Sequence, residues 1–346
     1  MIVKDEEKTL ERVLSCAKEF ADEIVVVDTG SKDNSVSIAK KFTDKVFDFE
    51  WVNDFSKARN FSFEKATSDY IMWLDADDVI EKIDIKKLIK LKSKITNEDV
   101  FMLPYEIAFD ENGKPTFSYF RERIVKNNSK FKFVEPIHEV IIPSGKIKYL
   151  NIPIKHKKEK LGDPKRNLNL YLNLLNSGYK FNPRHQFYFA NELYYNGLFD
   201  LAIVEYEKFL KMDGFVENKI QAHLNLCRIF VKQNRLNDAL KVCFDSFMFG
   251  KPKSEILCEI GHIYFSLFNY DKAIYWYKLA ICKPETKTFA FVEKECYNYI
   301  PFIQLGICYY YLQNYKKAIF YNNKALKIKP NDKKALNNNA IYLSKV

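Results

Sequence analysis

Tyr70-Ile71-Met72-Trp73-Leu74, followed at once by Asp75-Ala76-Asp77-Asp78, is the stretch on which the fold turns. Five apolar residues without a charge read as a buried strand, and the acids that follow then emerge at its carboxyl end, where open α/β sheets bind ligands. Paired carboxylates at such an edge suit a hard divalent cation, which in turn neutralises a diphosphate. An acidic loop capping a helix has the same composition, so the position after the strand carries the reading, not the D-x-D spacing alone.

Working outward, Ile24-Val25-Val26-Val27 and Val46 to Phe49 read as further short strands, with amphipathic stretches between them up to about Val100. This alternation predicts a parallel sheet covered by helices on both faces. From Val100 to about Lys155 strands alternate with turns such as Glu111-Asn112-Gly113-Lys114 and Pro143-Ser144-Gly145-Lys146, which predicts a mixed or antiparallel extension of that sheet. After about Asp163 the chain reads as helical to its end. Ala202, Ala239, Ala273 and Ala318 recur at spacings of 37, 34 and 45 residues, close to the 34-residue tetratricopeptide period. Leu305-Gly306, Tyr309, Ala318, Ala325 and Pro330 fall at the offsets of that repeat, and Ile260-Gly261, Tyr264, Ala273, Tyr277 and Ala280 reproduce most of them. The expected organisation is an α/β domain over 1–160, a connecting helix over 161–184, and about four helical repeats with a capping helix over 185–346.

Composition agrees with a globular protein of more than one domain: 346 residues, 47% hydrophobic and 16% aromatic. Seven cysteines form no C-x-x-C pair and read as reduced thiols of a cytoplasmic protein. No secretory signal and no uncharged run long enough for a transmembrane segment is present. The net charge of +10 comes mainly from lysines scattered along helices, and no nucleic-acid-binding motif accompanies it.

A second constellation is Val27-Asp28-Thr29-Gly30-Ser31-Lys32-Asp33-Asn34-Ser35. Gly30 permits a tight turn and Asp33 or Asn34 can cap a helix starting near Ser35. Asp28 ends an apolar strand at the ligand edge, where it is placed to accept hydrogen bonds from a base or ribose.

Met1-Ile2-Val3-Lys4-Asp5-Glu6-Glu7, VDTGSKDNS, Asn53-Asp54-Phe55-Ser56-Lys57-Ala58-Arg59-Asn60 and LDADD, in this order, resemble the nucleotide-sugar half of glycosyltransferase family 2, of GT-A fold. Pro136-Ile137-His138-Glu139, Ile154-Lys155-His156 and Lys165-Arg166-Asn167-Leu168-Asn169-Leu170, followed by helical repeats, are similar to the bacterial subgroup that includes the sublancin-type peptide S-glycosyltransferases. In that family the first strand usually begins several residues before the match to Met1-Ile2-Val3, so here it is either very short or the start codon has been placed late.

The resemblance implies a UDP-sugar donor, with UDP-glucose and UDP-N-acetylhexosamine as leading choices, and a divalent metal, Mn2+ or Mg2+. Asp28 would contact uracil or ribose. Asp33, Arg59 and Asn60 would help hold the nucleotide, Asp75 the ribose and metal, and Asp77 the metal. A guanidinium fork such as Arg59 matches phosphate geometry. His156 and His138 are further metal candidates and Arg166 a diphosphate contact. Inverting transfer needs a base for the acceptor proton, for which Glu139 is the first candidate and Asp78 the second. A metalloprotease H-E-x-x-H is excluded because position 142 is Ile.

A nucleotidyltransferase would have a glycine-rich loop after its first strand, and Lys4-Asp5-Glu6-Glu7 is unlike one. The remaining alternative is a weak or inactive donor-binding domain carrying an interaction scaffold. Tetratricopeptide grooves commonly hold extended peptides, which favours a peptide or protein acceptor, with a glycan acceptor or a homodimer through the repeats as other uses.

Overall fold

The computed structural model describes residues 1–95, 97–110, 113–157, 159, 163–283 and 292–346. The first two residues of the expected turn at 111–114 and the expected boundary at 160–161 lie outside the described residues. Two compact units divide the chain, Met1–Ser177 and Gly178–Val346.

The first unit runs β1 (Ile2–Val3), α1 (Leu10–Lys18), β2 (Val26–Asp28), α2 (Ser35–Ala39), β3 (Val46–Asp48), α3 (Phe55–Glu64), β4 (Tyr70–Met72), β5 (Asp78–Val79), α4 (Lys82–Lys92), β6 (Val100–Phe109), β7 (Pro115–Lys126), β8 (Phe133–Val134), β9 (Val140–Ile141), β10 (Ile147–Tyr149), β11 (Ile154–His156) and α5 (Arg166–Asn176). Strands β1, β2 and β3 form a parallel sheet, with Val3 opposite Asp28 and Asp28 opposite Asp48. Helix α1 buries Leu10, Val13, Leu14 and Ala17, one face at the i, i+3, i+4, i+7 spacing, in the same apolar core as Val26, Ile38 and Leu103. Burying each large aliphatic side chain of this kind contributes about 1.5–3 kcal/mol.

The strand before the acids departs from the expected topology. β4 pairs antiparallel with β7, Met72 opposite Ile124, and belongs to a mixed sheet of order β4-β7-β6-β11-β5. The cause lies in the long β6–β7 hairpin, whose second strand pairs Ile124, Val125 and Lys126 with Met72, Ile71 and Tyr70. Irregularities bend this hairpin. Phe101 faces Ile124 but Met102 faces Glu122, which leaves Arg123 as the extra residue of a β-bulge.

Helix α3 begins where the sequence provides a cap: Asp54 accepts a hydrogen bond from the Lys57 backbone N–H at 3.1 Å. Its other end of the site is set by β11, whose antiparallel register puts His156 opposite Asp78.

The second unit comprises α6 (Pro183–Tyr195), α7 (Phe199–Leu210), α8 (Val216–Lys232), α9 (Leu236–Asp245), α10 (Ser254–Ser266), α11 (Tyr270–Ile281), α12 (Tyr299–Tyr311), α13 (Tyr315–Ile328) and α14 (Lys333–Leu343). Ala202, Ala239, Ala273 and Ala318 lie on α7, α9, α11 and α13 and are fully buried. The small residues at the other offsets let the helices approach. A Cβ on Gly261 would meet the Tyr277 ring at 2.8 Å, and one on Gly306 would meet the Ala318 carbonyl at 3.3 Å. One buried polar group between repeats is paired within itself: the Tyr206 hydroxyl donates to Asn191 Oδ1 at 2.6 Å and accepts from Asn225 Nδ2 at 2.8 Å. No helix among the described residues is long and apolar enough to cross a membrane.

Candidate functional site

A cleft of about 810 Å³ opens in the first unit at the carboxyl end of β1 and β2. It is lined by Asp75, Asp77, His156, Arg59, Arg121, Glu139, His138 and Arg166, with Trp51 and Phe55 at one side and Lys4, Asp5 and Glu6 at another.

Asp77, Asp78 and His156 present ligand atoms within 4.8 Å of one another. His156 Nδ1 stands 3.2 Å from Asp77 Oδ1 and 4.0 Å from Asp78 Oδ1, and the Tyr105 hydroxyl lies 2.9 Å from the same nitrogen. Burial works against a charged imidazole, but the hydrogen bond to Asp77 and the charges of Asp77, Asp78 and Asp75 outweigh it and raise the His156 pKa. Asp78 is wholly buried; burial pushes its pKa up to about 6 against the pull of Arg123, whose Nη1 lies 2.9 Å from Asp78 Oδ2. Asp78 Oδ2 also accepts the Asp75 backbone N–H at 2.9 Å, so this acid shapes the acidic turn. Its Oδ1 has no hydrogen-bond partner among the described residues, and an orphaned buried carboxylate oxygen beside an aspartate and an imidazole fits a divalent cation.

Asp75 takes a different partner. Its Oδ1 accepts from Arg59 Nη2 at 2.7 Å, while Arg59 Nε reaches Glu139 Oε1 at 2.7 Å. Burial alone would raise the Asp75 pKa, yet Arg59 and Arg123 hold it well below the usual carboxylate range. Glu139 sits in a tightly pinned loop between β8 and β9. The Pro136 carbonyl accepts from Phe55 N–H at 2.9 Å, the Glu139 carbonyl from Arg121 Nη2 at 3.1 Å, and Ile137 is buried. His138, at φ +54°, turns its ring onto Tyr171, 6.3 Å between centroids.

The structure therefore brings Asp75, Asp77, Asp78, His156, Arg59 and Glu139 together. Four other expected residues have partners within the protein. Asn60 spends its amide on β8, donating to the Phe133 carbonyl at 2.9 Å and accepting the Phe133 N–H at 2.8 Å. Asp28 accepts the backbone N–H groups of Gly30 and Ser31, each at 3.0 Å, within its own turn, where Gly30 has φ +97°. Asp33 accepts from Ser35 N–H at 2.9 Å and from Glu7 N–H at 3.0 Å, tying the turn to the segment after β1. His138 is outside the Asp77–Asp78–His156 group, and Asp78, expected as a second base, has no exposed surface. Arg166 opens α5 with its Cζ 5.1 Å from the Phe55 ring centroid.

Arg121, Arg123 and Tyr105 were not expected. The signal for the arginines is Arg121-Glu122-Arg123 itself, three charges inside a strand whose continuation is Ile124-Val125.

Comparison with known proteins agrees with this layout. The glycosyl transferase family 2 model matches residues 1–149, and tetratricopeptide repeat models match 254–281 and 301–332. A TPR repeat-containing protein of Synechococcus elongatus is 34% identical over 142 residues, 41% of this chain and 34% of that protein. The SPbeta prophage-derived glycosyltransferase SunS of Bacillus subtilis is 29% identical over 261 residues, 69% of this chain and 59% of that protein. The chain thus spans between a third and three fifths of the length of these relatives. A chain in the crystal structure of the APC/C hetero-tetramer Cut9-Hcn1 aligns with 52% of this chain at 18% identity and a TM-score of 0.41. Residues 1–149 are a glycosyltransferase family 2 domain, and tetratricopeptide repeats follow it in the same chain.

Proposed function

We propose that the protein is an inverting glycosyltransferase that moves a hexose or N-acetylhexosamine from a UDP-sugar to a peptide, protein or glycan acceptor. The observation that carries the reading is one cleft holding Asp75, Asp77 and His156 opposite Glu139. Asp77, Asp78 and His156 would hold Mn2+ or Mg2+, with Asp75 beside them, and the ion would neutralise the diphosphate of the leaving UDP. Arg166 is the exposed guanidinium of the cleft and takes a diphosphate oxygen. The turn built by Asp28 and Asp33, with Asp5 and Glu6 next to it, receives the nucleoside. Asn60 keeps α3 fixed to β8 and so acts behind the nucleotide site.

Glu139 receives the acceptor proton as the acceptor bonds to the anomeric carbon and the bond from that carbon to the UDP oxygen breaks. Arg59 occupies Oε1, and Oε2 is the atom assigned to the proton. A thermal-shift screen of nucleotide sugars with and without Mn2+ tests the donor assignment, because a ligand of the native state raises its midpoint. Metal-dependent stabilisation by UDP-sugars is expected; stabilisation by another nucleotide class would move the donor elsewhere.

The repeats are assigned to the acceptor. Support comes from the aromatic side chains that the repeat helices expose, Tyr195 on α6 and Tyr275 on α11 among them. Tyr195→Ala should raise the KM of a peptide acceptor and leave donor hydrolysis alone. An unchanged KM would assign the repeats to assembly, a homodimer included. The seven free cysteines support a cytoplasmic setting.

A further inference from the structure

Three guanidiniums converge on one indole. The Cζ atoms of Arg59, Arg121 and Arg123 lie 4.8, 4.9 and 3.8 Å from the Trp73 ring centroid, and Trp73 is 3% exposed. They reach it from α3, from the regular part of β7 and from the bulge of β7. Trp73 is itself fixed by the backbone: Nε1–H donates to the Glu122 carbonyl at 2.6 Å, and its own carbonyl accepts from Arg123 Nη1 at 3.2 Å.

Each arginine then holds a different part of the carboxylate set. Arg59 grips Asp75 and Glu139, Arg121 grips the Glu139 carbonyl and the Glu122 carboxylate, and Arg123 grips Asp78. Arginine has many rotamers to lose, so a guanidinium is placed accurately only when its plane is held as well as its charge. A π face does this by attracting the cation over the ring. Arg123 shows the dependence most clearly. Its Nε and Nη2 have no hydrogen-bond partner among the described residues, and its Cζ lies 3.8 Å from the Trp73 centroid and 4.2 Å from that of Tyr105.

We infer that Trp73 is a positioning residue: its ring fixes three arginines, and through them Asp75, Asp78 and Glu139. The inference rests on the transfer reading above for its effect on rate, but its structural content stands apart from it.

Crystal structures and donor turnover of two variants test it. Trp73→Phe keeps an aromatic face, and Trp73→Leu keeps apolar volume without one. In W73L the Arg59 and Arg121 contacts to Glu139 should break. UDP release from UDP-glucose or UDP-N-acetylglucosamine with Mn2+ should fall about 100-fold in kcat, the cost of misplacing a reacting group by about 1 Å. W73F should stay within about 10-fold of wild type. A purely packing role predicts instead that both variants lose rate only in step with their unfolding midpoints. Folded W73L with all three arginine–carboxylate contacts intact, or with wild-type kcat, overturns the inference. Should W73L fail to fold, Arg121→Lys serves in its place. It keeps the charge, loses the planar fork, and is expected to lower kcat; wild-type kcat in R121K overturns the inference equally. A wild-type protein that turns over no UDP-sugar would sink the transfer reading alone, and the arginine positions in the variant crystals would still decide this one.

Discussion

Arg59 ties Asp75 to Glu139, its Nη2 and Nε each 2.7 Å from a carboxylate oxygen. Burial opposes its charge, but the two acids overcome that and raise its pKa further. The guanidinium that the sequence offers as a phosphate ligand thus links these two carboxylates as a brace. Replacing it with an apolar residue removes the guanidinium that hydrogen-bonds both carboxylates. Arg59→Met is expected to cost about 3 kcal/mol of stability, read as a lower urea midpoint, and to remove donor turnover. A midpoint equal to wild type would show that the brace is dispensable.

Glu139→Gln tests the base separately from the brace. Glutamine retains an oxygen for Arg59 Nε, so donor affinity should be kept while transfer slows by about 100-fold to 10,000-fold. Calorimetry with UDP and single-turnover rates distinguish the two effects. Lost nucleotide binding would move Glu139 into the donor site.

The acidic limb of stability should involve a residue far from the chemistry. Glu23 accepts hydrogen bonds from Lys45, from the Thr67 and Ser68 backbone N–H groups and from the Thr67 hydroxyl. Burial alone would raise its pKa, yet these bonds lower it from 4.5 to about 2. A depressed carboxylate contributes stability that is present above its unfolded pKa and lost as pH falls through the folded one. The stability gap between wild type and Glu23→Gln should therefore be full at pH 7 and shrink between 4.5 and about 2. A gap that does not change over this window would contradict the assignment.

In the repeats, Gly261→Ala places a methyl 2.8 Å from the Tyr277 ring, which is buried. Overpacking of this kind costs about 1–3 kcal/mol, while alanine recovers about 1 kcal/mol of helix propensity. A net loss of about 1 kcal/mol is expected in thermal unfolding. A gain in stability would mean that the ring shifts freely.

The sequence made some of this readable and hid the rest for physical reasons. The acidic turn was legible because an apolar run and its acids are contiguous, and the repeats because their alanines recur with a period. His156 could be named only through a resemblance; its place opposite Asp78 comes from the β5–β11 register, which no local pattern shows. Asn60 and Asp28 carry family-like spacing, yet their side chains spend their hydrogen bonds on β8 and on the turn at Gly30. The arginines of β7 are hidden in the sequence because a bulge at Arg123 breaks the alternation that marks a buried face. An apolar run does not reveal which edge it will join, so the alternation around β4 predicts a parallel sheet where the structure has an antiparallel pair.

The central claim is that the cleft transfers sugar from a UDP-sugar with a divalent ion held by Asp77. Its most direct test is UDP release from a panel of UDP-sugars with Mn2+, repeated in chelator and with folded Asp77→Ala. The account predicts release by the wild-type protein that chelator and the substitution each abolish. Undiminished release in either case would contradict it.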